Sequence, residues 1–181
     1  MYAMSPMTVL GRSTMVILST LTLTALLTSG CAESGDDPGI GESADSVTVV
    51  FTRDERPVPV RRPVPQSSTG LEVALERLLE GPTEEEESRG IGSWFSAETA
   101  GALSSVSVDP SGRAVVDLRD LRPFIPGASS STGSTLLLQE LNGTVFQFPE
   151  IRSVEYRMEG SCELFWEWLQ YGCQIVTRPE G

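Results

Sequence analysis

The sequence contains no histidine and no lysine; all 13 of its basic residues are arginine. Without histidine there is no Ser–His or Cys–His nucleophile pair and no imidazole-based metal site. Without lysine there is no Schiff-base amine and no lysine of the phosphate-loop type. No glycine-rich loop joins a strand to a helix at phosphate-binding spacing. Cysteine is scarce, three in 181 residues, and Cys162 and Cys173 stand too far apart for the CxxC spacing of a redox pair. Long apolar runs are missing as well. Met15–Thr28 (MVILSTLTLTALLT) is too short and too rich in threonine for a transmembrane helix, which needs about 20 apolar residues. Acid, by contrast, is abundant. The formal net charge of -12 makes nucleic acid a poor partner, because phosphate neutralisation supplies most of that affinity, and it favours solubility. The side chains left for catalysis are carboxylates. Asp117, Asp120, Glu155 and Glu163 are the candidates for glycoside chemistry, which needs two acids about 5–10 Å apart, and the sequence does not pair them. The run Glu84–Glu87 has consecutive acids pointing in different directions and reads as a solvated helix start. No cofactor, metal or enzymatic activity is implied.

The first thirty residues read as a signal peptide: a short polar start with Arg12, an apolar core, then Leu27-Thr28-Ser29-Gly30-Cys31. Small residues directly before a cysteine resemble the bacterial lipobox, with Thr28 in place of the usual leucine. That resemblance implies a diacylglyceryl group on Cys31 and cleavage before it. Two or more acyl chains anchor stably, since each buried methylene contributes about 0.8 kcal/mol. Localisation at the extracytoplasmic face of the cell membrane follows. Residues 31–46 hold almost no large apolar side chain and read as a disordered acidic, Gly/Ser-rich tether.

From Val47 the composition is that of a folded domain. Val47–Thr52 (VTVVFT) predicts a strand buried on both faces. Arg56–Pro65 (RPVPVRRPVP) predicts an edge strand guarded by prolines. Ser67-Ser68-Thr69 offers caps for a helix over Leu71–Glu80, stopped by Gly81-Pro82. Thr83 and Glu86 have capping-box spacing. Trp94-Phe95 plug the edge of the core. Asp109-Pro110-Ser111-Gly112 suits a type I turn between two strands. Leu137, Leu141, Val145 and Phe148 recur at helical spacing up to Pro149. The period then changes to two over Ile151–Met158, with an irregularity near Arg152–Ser153. Asn142-Gly143-Thr144 has the glycosylation pattern, but its place inside a helix argues against use.

Beyond Gly160, Leu164, Phe165, Trp168, Leu169 and Tyr171 predict a short amphipathic helix bracketed by Cys162 and Cys173. With Cys31 acylated, these two form an even pair suited to a disulfide in an oxidising space. The aromatic cluster admits two readings: core against the sheet, or a contact patch of Trp166, Trp168 and Tyr171, with Trp94 as a further candidate.

These pieces together resemble the GerMN domain, named for sporulation and spore-germination proteins and also found in envelope lipoproteins of actinobacteria. The stretches ALERLLEGPT and TVFQFPEIRSVEYRMEG carry most of the likeness, which covers 47–160; residues 161–181 form a Cys-bracketed extension. The resemblance implies an α/β (α+β layered) fold, a small mixed sheet with two main helices packed on it. It implies no catalytic residues. It implies an interaction or scaffolding module that meets an envelope protein; the other reading is a binding module for a small molecule or a peptidoglycan fragment.

Overall fold

The structure is a computed structural model that describes residues 46–65 and 70–180. The signal segment, Cys31, the tether up to Asp45 and the expected cap at Ser67–Thr69 lie outside those residues.

Two β-branched and aromatic runs open the domain as an antiparallel hairpin, β1 (Ser46–Arg53) and β2 (Arg56–Pro63). Asp54 and Glu55 both take positive φ, 50° and 61°, the mirror-image two-residue turn whose twist matches its strands. Val47, Val49 and Phe51 bury one face of β1, and Val50 is buried on the other. In β2 the exposed residues Pro57, Pro59, Arg61 and Pro63 alternate with half-buried Val58, Val60 and Arg62. Helix α1 (Gly70–Leu79) turns Leu71, Ala74, Leu75 and Leu78 into the core. It stops at Gly81, where φ is +77° and a Cβ would lie 2.5 Å from the carbonyl oxygen of Phe95, so only glycine fits. Helix α2 (Glu84–Ser88) starts on the expected capping box: Thr83 Oγ1 accepts from Glu86 N, and Glu86 Oε2 accepts from Thr83 N.

Strands β3 (Leu103–Val108) and β4 (Arg113–Leu118) form the second hairpin. Gly112 N donates to Asp109 O and Asp109 N to Arg113 O, each at 3.0 Å, with Gly112 at φ +83°. This is a type I turn closed by a glycine bulge. Helix α3 (Ser131–Val145) then crosses to β5 (Ser153–Met158), which runs parallel to β4. The helix ends one turn before the apolar pattern does. Pro149 is the reason, since its ring would clash with the carbonyl of Val145 four residues before it and it has no N–H to give that carbonyl. The Arg178 guanidinium takes carbonyls beyond the helix, donating to Phe146 O at 2.6 Å, to Phe148 O, and through Nε to Ile151 O at 2.9 Å. Irregular pairing at the start of β5 is present, because Arg152 N and Ser153 N both donate to Gly112 O. Helix α4 (Cys162–Trp168) and a two-residue strand β6 (Val176–Thr177) complete the domain. Cys162 and Cys173 are joined by a disulfide, their Cα atoms 5.4 Å apart.

The fold is thus mixed α+β. The mixed sheet has the order β3-β4-β5-β6, and β1-β2 stands as a second sheet. The two main helices link them, α3 packing on β1 and α1, and α1 on β1 and β3. Phe51, Leu75, Leu78, Val116, Leu141, Tyr156 and Phe165 belong to one continuous core.

The free side of β1 is sealed by α3. Val50 N donates to Thr144 Oγ1 at 2.9 Å and Thr48 N to Gln147 Oε1 at 2.8 Å, while Gln147 Nε2 donates back to Thr48 O. Thr52 and Gly92 exchange a pair of backbone bonds. Gly143 permits the close approach, since a Cβ there would meet the Val50 side chain at 3.0 Å.

Candidate functional site

Each carboxylate singled out for chemistry is engaged by a neighbour. Asp117 accepts from Gly160 N, Asp120 forms an ion pair with Arg122, and Glu163 accepts from the Ser161 hydroxyl. Glu155 lies between Arg113 and Arg157 on the outer face of the mixed sheet. Burial pushes its carboxyl up, and the two guanidinium groups outweigh this and hold it below its ordinary value. Among the described residues no group of three or more His, Cys, Asp or Glu is placed to hold a metal ion. No helix of the described residues is long and apolar enough to cross a membrane.

The aromatic patch is divided by the structure. Trp166 is a correction: it is 1% exposed, packed edge-on against Phe165 and Tyr171. The α4 face carrying Phe165 and Trp166 turns toward Tyr156 of β5 and is core. The Trp166 indole N–H finds no acceptor among the described residues. Trp168 is half-buried against Phe165. Trp94 is half-buried too, its ring lying over Gly127, where a Cβ would come within 3.0 Å. Tyr171 is exposed, and Phe124 is exposed elsewhere on the surface. No pair of open aromatic faces suited to a sugar ring remains among the four candidates.

Two acids outside those four do more, and Glu86, read from the sequence as part of a solvated helix start, is instead buried. Glu86 receives both ends of the Arg62 guanidinium at 2.5 and 2.6 Å, in addition to its capping bond. Arg62 holds its carboxyl down at about 2, against the opposing effect of burial. Glu140, on α3, has no exposed surface. Its Oε2 accepts from Ser93 Oγ at 2.6 Å and Trp94 N at 3.3 Å, and its Oε1 lies 3.3 Å from Thr52 Oγ1. Burial pushes this carboxyl up to about 7, beyond what these donors offset. A carboxyl near neutrality is what general acid–base work needs, but Glu140 is enclosed and meets no outside substrate. It fastens β1 to the 92–94 segment. The available signal was its position: Glu140 and Thr144 fall on the same stripe of α3 as Leu137 and Leu141, where an acid has no solvent.

In sequence, residues 41–162 match the Germane family, described as sporulation and spore germination. No curated protein matches the chain. The tandem GerMN domains of the sporulation protein GerM from Bacillus subtilis superpose with a TM-score of 0.55 at 22% identity, over 78% of this chain and 48% of that one. The first GerMN domain of the same protein gives 0.49 at 21% identity, over 64% and 83%. The chain therefore spans about half the length of the tandem structure, and the likeness concerns the fold.

Proposed function

The chain belongs to the Germane family of sporulation and spore germination domains, and from that premise we propose that it is a non-catalytic, lipid-anchored envelope protein whose domain is an interaction or scaffolding module. One observation carries the non-catalytic part: each acid offered for chemistry is engaged by a neighbour, and among the described residues the carboxyl poised near neutrality is sealed in the core. The anchor rests on the lipobox-like Leu27–Cys31, and an extracytoplasmic place on that anchor. The disulfide fits an oxidising compartment. The partner in this reading is another envelope protein.

The test is in-cell photo-crosslinking of the full chain from Tyr171 and Phe124, the two exposed aromatics among the described residues. The expected result is one dominant protein adduct that is lost in Cys31→Ser, together with a shift of that variant from the membrane to the soluble fraction. Adducts with lipid or glycan alone would sink the interaction reading. A variant that stays with the membrane would sink the anchor.

A further inference from the structure

Sheet edges carry unpaired N–H and C=O groups and template the pairing of further strands unless they are blocked. Three of the four sheet edges among the described residues are blocked, each differently. That of β1 is sealed by Thr144, Gln147 and Gly92. That of β2 carries three prolines and three arginines, RPVPVRRP. That of β6 is two residues long. The edge of β3 has none of these devices. Its sequence, LSSVSV, contains no charge and no proline, and among the described residues β4 is its only hydrogen-bonded neighbour. Because Asp109 N donates across to Arg113, the alternation of an antiparallel ladder turns the amides of Val108 and Val106 away from β4.

We propose that the outer edge of β3 accepts an extended segment of a partner protein as a fifth strand of the mixed sheet, one with alternating apolar side chains and a flanking basic residue. This rests on the interaction reading above and names the surface it uses. The apolar requirement comes from a hollow of about 350 Å³ beside the edge, lined by Leu71, Val106, Val108 and Phe148 with Glu150 at its rim. Val108 is 45% exposed there. In strand addition the main chain supplies affinity and such hollows receive alternate side chains. The basic requirement comes from charge. Glu150 makes no hydrogen bond or ion pair among the described residues, whereas nearby Asp109 is engaged by Ser111 and Arg113 N. Arg152 shares the adjoining hollow with Glu150 and Asp109 but does not line this one. The net charge of -12 attracts a basic segment and repels a second copy of this chain.

The probe is an acetylated, amidated heptapeptide of alternating threonine and valine with an arginine at each end, added to the full chain in detergent micelles. Residue-resolved amide exchange is read by NMR. The expected result is slowed exchange at Val106 and Val108 with Ser107 unchanged. Binding should weaken roughly tenfold in Val108→Pro, which removes an outward donor, and in Val108→Lys, which keeps the donor and adds an edge charge. If the proline variant does not fold, the lysine variant decides. Glu150→Gln should weaken this peptide and leave one flanked by threonine unchanged. No protection at these amides, or binding indifferent to both Val108 variants, overturns the proposal. So does a dimeric mass with the two amides already slow before peptide is added, since a second copy then holds the edge. If crosslinking still finds a protein partner, the module reading survives and only the edge is lost.

Discussion

With its carboxyl pushed up to about 7 by burial, Glu140 still carries its proton at pH 6. That state completes its bonding. Oε2 accepts from Ser93 and Trp94, which leaves the proton on Oε1, 3.3 Å from Thr52 Oγ1, and the Thr52 hydroxyl donates to Gly92 O, 3.1 Å away. The folded pKa, about 7, lies above the ordinary 4.5, so the native state binds the proton more tightly than the unfolded one. The associated stability is fully present below about pH 4.5 and is lost as pH rises through 7, up to about 3 kcal/mol in total. Glutamine reproduces the neutral acid, with one acceptor oxygen and one donor nitrogen in the same places. Glu140→Gln should therefore match the natural protein at pH 5 and exceed it at pH 8 by about 1–3 kcal/mol, read from urea midpoints at the two pH values. An unchanged difference between pH 5 and pH 8 in the variant would remove Glu140 as its source. At this scale the sequence was least legible. Trp166 was open to both readings, core or contact patch, because composition reports aromatic content and not which way a seven-residue helix faces. Arg62 and Glu86 are 24 positions apart, and nothing local announces their pairing.

Elements were more legible, because period and turn chemistry are local. The Asp109–Gly112 turn, the Thr83–Glu86 box and the strand after Pro149 could be read from spacing alone. What spacing does not show is a helix completing a strand edge with side chains 94 and 99 positions away. That arrangement gives the second prediction. Thr144→Val keeps shape and burial but leaves the amide of Val50 unpaired inside the protein. A buried donor without a partner costs about 1–3 kcal/mol, so the variant should lose that much in urea, whereas Thr135→Val on the exposed side of α3 should change little. Equal effects would mean that the Thr144 hydroxyl does not cap β1. The two-sheet division was hidden for a related reason: strand order is decided by which strand each helix lets in, and the seal on β1 leaves no place there for another strand.

For the molecule as a whole, Glu140 and Glu86 oppose each other across pH 4.5. Glu86, held at about 2 in the folded state, contributes stability above its ordinary 4.5 that is lost as pH falls toward 2, about 3 kcal/mol in all. Asp120 and Glu155, both lowered by arginines, act in the same direction. Stability should peak between about pH 4.5 and 5.5 and decline on both sides, also because repulsion within a chain of net charge -12 is relieved there. A series of urea midpoints from pH 3 to 9 checks this; a maximum above pH 7 would contradict it. The Arg178 clamp has a consequence of another kind. Its guanidinium holds three carbonyls between Phe146 and Ile151 and lies 5.3 Å over the Phe146 ring, and synthesis reaches it after every residue it holds. Until Arg178 arrives, the carbonyls of Phe146, Phe148 and Ile151 lack this partner, although β6 just before it has already been made. A chain cut just before Arg178 keeps the hydrophobic residues of the domain but not this clamp, so its segment between α3 and β5 should be cleaved faster in limited proteolysis than that of the full chain.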